Sequence, residues 1–125
     1  MNVLIDSSGW IEYFSNGGKS VFFEKAIIKT PKQKLVVPSI VVYEVYKKIK
    51  KDAGEEKAKQ AIAHIVNAST IIHIDSIIAL EAAEISLKEG LAMADALIKA
   101  SAEINNAILL TTDNHFKGME NTEVY

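Results

Sequence analysis

Four short apolar runs, NVLID at 2–6, KLVVP at 34–38, TIIHI at 70–74 and AILLTTD at 107–113, are separated by stretches whose apolar residues recur at helical spacing. Strand-length runs that stay apolar without alternation belong to strands covered on both faces, and such strands, joined through helices, pair in parallel. The tail TEVY, 122–125, adds a short edge strand. The expected fold is α/β: one domain over residues 1–125, with a central, mainly parallel sheet of four to five strands and helices on both faces. In such sheets the ligand site lies beyond the carboxyl ends of the strands, so the residues that end each run are the ones to inspect.

The intervening segments divide cleanly. SSGWIEYFS follows the first run with Trp10, Ile11 and Phe14 at helical spacing, and Ser7 or Ser8 is the expected N-cap. Residues 20–29 read as a second helix. After Pro38, Ser39 is placed to cap a long helix in which Val42, Val45, Tyr46 and Ile49 share a face. Gly54 interrupts the chain before a helix at 55–68, Asp75 caps another that ends near Gly90, and an alanine-rich helix occupies 92–105.

Composition narrows the chemistry. The chain has no cysteine, so a metal would be held by carboxylate, hydroxyl or imidazole groups, a set that suits magnesium or manganese. The formal charge of −2 excludes nucleic-acid binding through net field, and any such contact must be local. Every basic residue is a lysine, so the bidentate fork of arginine is missing. No signal-like leader or membrane-length apolar run is present, and a soluble cytoplasmic protein with no membrane partner is expected.

Two runs end in an acid at the carboxyl edge: Asp6 after the first and Asp113 after the last. Glu44 lies in the helix that leaves the second run, and Asp95 opens the alanine-rich helix before the fourth. Taken singly, Asp6, Asp95 and Asp113 each suit a cap, as Asp75 does, and Glu44 suits a solvated helix face. Taken together, they come from four elements that the topology brings to one edge, where four carboxylates repel one another unless a cation sits among them. A divalent ion with oxygen ligands meets that need and creates a hydrolytic site.

In order and spacing, LIDSSGWIEYF, PSIVVYEVYKKIKK, LAMADALIKASA and LLTTDNHF resemble the PIN domain, and most of all the toxin ribonucleases of the VapC type. The resemblance covers nearly the whole chain. It implies a PIN-like fold and a pocket in which Asp6, Glu44, Asp95 and Asp113 bind Mg2+ or Mn2+ and catalyse phosphodiester hydrolysis, leaving a 3′-hydroxyl and a 5′-phosphate. Ser7, Ser8, Thr111 and Thr112 match hydroxyls that line this pocket. His115 stands where related sequences often carry a further aspartate, so it is either a loop residue or a neutral ligand. An RNA substrate, a small antitoxin protein and a homodimer are implied in the same way.

Lys47, Lys48, Lys50 and Lys51 follow Glu44 and serve either to guide an RNA backbone or as a solvated helix end. Trp10, Tyr13 and Phe14 offer either a stacking surface or a core or interface stripe. His64 and His73 are expected to be structural. Other functions compatible with the pattern are a housekeeping PIN nuclease in rRNA or tRNA processing, a non-catalytic RNA-binding module and a receiver-like phosphorelay domain. The last expects adjacent acids after the first strand, where Ser7 and Ser8 stand. An aspartyl-nucleophile phosphatase would want an acid at Ser8.

Overall fold

The computed structural model describes residues 1–125. Five strands, β1 (Asn2–Ile5), β2 (Leu35–Pro38), β3 (Thr70–Ile72), β4 (Ala107–Thr111) and β5 (Thr122–Val124), form one sheet in the order β3-β2-β1-β4-β5. Every neighbouring pair is parallel. Leu35, Val36 and Val37 are buried in succession, and so are Leu109, Leu110 and Thr111, which requires cover on both faces of the sheet.

Six α-helices supply the connections: α1 (Ser7–Phe14), α2 (Ser20–Lys29), α3 (Ser39–Ala53), α4 (Glu55–Ala68), α5 (Ser76–Glu89) and α6 (Met93–Ile104). A short 3-10 turn, Asn114–Phe116, follows β4. The boundaries match the sequence reading closely, with two exceptions at helix starts. The N-cap of α1 is Asp6, not Ser7 or Ser8: its carboxylate accepts from Gly9 N while its backbone stays extended. A carboxylate at that position also faces the positive end of the helix, and the two serine hydroxyls are spent elsewhere, as described below. For α3 the cap position falls on Pro38, which makes no side-chain cap bond, and Ser39 is the first helical residue. Pro38 cannot continue the strand ladder as a donor, and its fixed φ suits the turn into the helix.

A core of 23 buried apolar residues surrounds the sheet. Trp10 is fully buried within it and stacks on Phe14 at 5.8 Å, so the stacking-surface reading of Trp10 is set aside. His64, on the exposed side of α4, stands edge-on to Trp10 and Phe14. His73 lies past the end of β3 and is exposed, so it is not a strand residue. Lys99 is buried, and its ammonium donates to Glu120 O at 2.6 Å and Thr122 Oγ1 at 3.3 Å, tying the β5 edge to α6.

What matters for the site is the strand order. The chain builds β1, β2 and β3 outward in one direction, then returns to place β4 on the other flank of β1. The crevice at this reversal opens between the carboxyl ends of β1 and β4, where an α/β sheet leaves room for a ligand.

Candidate active site

Asp6 is the residue at which β1 ends, and it sits on this crevice with only 3% of its surface exposed. Its Oδ1 accepts from Ser8 Oγ at 2.6 Å and from Gly9 N at 3.1 Å, and its Oδ2 accepts from Thr111 Oγ1 at 2.6 Å. A carboxylate offers about four acceptor positions, so one on Oδ2 is left. Thr111 is the last residue of β4, and its bond to Asp6 closes the crevice from the opposite strand.

The hydroxyls form a fixed relay. Ser8 Oγ accepts from Thr112 N at 3.0 Å, and Thr111 Oγ1 accepts from Asp113 N at 2.9 Å. The two hydroxyls approach each other at 3.2 Å, but each has one hydrogen and each points it at Asp6. The loop after β4 is therefore held by the same side chains that orient Asp6. Thr112 contributes through its backbone N–H, which donates to Ser8.

Ser7 donates to Glu44 Oε1 at 2.9 Å, which fixes α3 against the start of α1. Glu44 and Asp95 are half-buried. Asp113 caps the 3-10 turn by accepting from His115 N at 2.9 Å. The exposed His115 ring lies with Nδ1 3.2 Å from Asp113 Oδ1 and 3.4 Å from Asp95 Oδ2. Asp95, Asp113 and His115 each present one ligand atom, all within 4.8 Å of one another. Sequence reasoning left His115 between a loop residue and a ligand, and the fold puts it beside both carboxylates.

The electrostatics are those of a site short of positive charge. Burial pushes Asp6 up from 3.8 to about 6, against the lowering effect of its three hydrogen bonds, and the charge of Asp113 adds to the rise. Glu44 is raised by burial and by the charges of Asp95 and Asp113, in spite of its bond from Ser7. Asp95 is raised by burial first and then by Asp113, with His115 acting in the opposite sense. Asp113 thus acts on each of the other three acids, which makes the four one electrostatic unit.

Residues 3–121 match the PIN domain family model. The chain belongs to the PIN domain family.

The fold of this PIN domain recurs in solved structures. A toxin–antitoxin complex from Klebsiella pneumoniae superposes with a TM-score of 0.80 at 24% identity, over 98% of this chain and 97% of that one. VapC20 of Mycobacterium tuberculosis, described as a sarcin-ricin loop cleaving toxin, gives 0.78 at 13% identity over 95% of both chains. VapBC2 from Rickettsia felis, bound to a DNA fragment from its promoter, gives 0.76 at 19% identity over 100% of this chain and 98% of that one. Among curated protein sequences no relative matches this PIN domain at a significant level.

The donor set fits a hard divalent cation. Asp95, Asp113 and His115 present carboxylate oxygens and one imidazole within 4.8 Å of one another, a set that such an ion takes, and Asp6 and Glu44 add carboxylates beyond that trio. No helix is long and apolar enough to cross a membrane.

Proposed function

We propose that this PIN domain is a metal-dependent endoribonuclease and the toxin of a VapBC-type pair. The observations that carry this reading are the ligand atoms of Asp95, Asp113 and His115 within 4.8 Å of one another and the reach of the Asp113 charge to Asp6 and Glu44 as well. Asp6, Glu44, Asp95 and Asp113, with His115 at the rim, would hold a Mg2+ or Mn2+ ion, which would supply Lewis acidity to acidify water and offset charge on a scissile phosphate.

The chain's own residues divide the remaining work. Asp6 has three acceptor positions taken by Ser8, Gly9 and Thr111 and is almost fully buried, so it is a rigid ligand held away from an attacking water in solvent. Glu44 and Asp95 are half-exposed and more basic than ordinary carboxylates, which suits them to take the proton of an attacking water. Ser7 orients Glu44 for that role through its bond to Oε1. In-line attack would release a 3′-hydroxyl and a 5′-phosphate.

The structures of similar fold include toxin–antitoxin complexes and a toxin named for cleaving the sarcin-ricin loop. They support RNA as substrate and an antitoxin as partner; a homodimer acting in the cytoplasm is part of the same proposal. The test is cleavage of a mixed, structured RNA pool by the purified protein in Mn2+ or Mg2+, beside a chelator control. Cuts bearing 5′-phosphates that need the metal support the reading, and intact RNA with bound metal contradicts it.

A further inference from the structure

The helix that carries Glu44 also carries a second surface. Val42, Tyr43, Tyr46, Lys47, Lys50 and Lys51 line a shallow groove along α3, closed by Ile62 of α4. Its lining holds three lysines and no acid, in a chain whose formal charge is −2. Lys47 Nζ lies 5.5 Å from the Tyr43 ring centroid and 3.3 Å from its hydroxyl, and Lys50 Nζ lies 5.7 Å from the Tyr46 ring centroid. Tyr43 is 58% exposed. Lys50 shares Glu55 at 3.8 Å, whereas Lys47 and Lys51 have no carboxylate within ion-pair distance.

Helical geometry connects this surface to the acidic site. Glu44, Lys47, Lys48 and Lys51 are spaced i, i+3, i+4 and i+7, so they lie on one stripe that runs about 10 Å along the axis. Tyr43, Tyr46, Lys47 and Lys50 form the adjacent stripe by the same spacing. An RNA strand with one phosphate at the acids can therefore continue along α3 with its backbone on lysines and its bases beside tyrosine rings. We infer that the Tyr43–Tyr46 face of α3 is a single-stranded RNA subsite, in which the rings stack bases and Lys47, Lys50 and Lys51 hold phosphates. The inference rests on the RNA reading of the acidic site. Three lysines with no acid in the lining suit an anionic strand, and the two rings beside them offer flat faces to its bases.

The test is binding, measured without cleavage. Fluorescence anisotropy would follow a labelled single-stranded RNA of mixed sequence, and an abasic oligonucleotide of equal length, on the otherwise wild-type protein with Ca2+ in place of Mg2+ and the RNA checked to remain uncut. Tyr43→Leu should weaken RNA binding by at least about fivefold, Tyr43→Phe should restore it, and neither should affect the abasic strand. Lys47→Gln and Lys51→Gln should each flatten the slope of log affinity against log salt by about 0.7, while Lys88→Gln, which makes the same charge change on α5, should not. RNA affinity that is absent, or unchanged in all of these variants, overturns the subsite. A change in sedimentation on Tyr43→Leu with RNA binding intact would assign the face to a second copy instead. Binding through this face by a wild-type protein that cuts nothing would retain the subsite and remove the nuclease reading, and cleavage with unaltered binding would do the reverse.

Discussion

Thr111 at the end of β4 donates to Asp6 at the end of β1, 2.6 Å across the crevice where the strand order reverses. The same hydroxyl accepts from Asp113 N at 2.9 Å, so one side chain fixes two of the four acids. Thr111→Val keeps the shape and removes both bonds. The expected result is a loss of roughly 1–3 kcal/mol in urea unfolding, because Asp6 loses a buried donor, and Mn2+ binding weaker by about tenfold or more in calorimetry.

Asp6 gives the metal-free protein a defined pH dependence. The unfolded chain releases this proton near 3.8 and the folded chain near about 6, so between those values the native state holds more protons. Stability therefore falls as pH rises through that window, by up to about 3 kcal/mol at neutral pH. Glu44 and Asp95 are raised as well and act in the same direction. Thermal melts in chelator should show the decline, and saturating Mn2+ should reverse it at pH 7 more than at pH 4. Asp6→Asn should flatten the profile and melt higher than wild type at pH 7 without metal.

Gly9 packs where no side chain fits. A Cβ there would meet Ile5 Cγ2 and Phe23 Cε1, each at 2.6 Å, and both residues are fully buried. Gly9→Ala should cost roughly 1–3 kcal/mol by overpacking. Because Gly9 N also donates to Asp6, metal affinity should drop along with the melting temperature.

His115 tests the rim of the site. Its side chain is 75% exposed, so His115→Ala should leave stability within about 0.5 kcal/mol of wild type. Its position beside Asp95 and Asp113 predicts Mn2+ binding weaker by about tenfold, read by calorimetry. Unchanged metal affinity would make it a loop residue only.

The strands and helices were legible because each run has one dominant period: β-branched stretches for β1 to β4, helical spacing between them, and Gly54 and Gly90 as stops, both at positive φ. The four acids were readable as a group because Asp6 and Asp113 follow strands, Asp95 lies in the first turn of α6 and Glu44 in the first half of the helix that leaves β2. Caps were less so, since Asp6, Ser7 and Ser8 are all good cap residues and tertiary bonds to Glu44 and Thr111 decide among them. The burial of Lys99 and the contact of His115 with Asp95 depend on chain segments 20 or more residues apart, which no local pattern records.

The most direct test of the nuclease account pairs two readouts on one sample: Mn2+ binding and RNA cleavage, for wild type and Asp6→Asn. The account predicts that wild type binds Mn2+ and cuts only when it is bound, and that the variant, folded and at least as heat-stable, loses both together. Cleavage that persists in chelator, or in a variant with no bound metal, would contradict it.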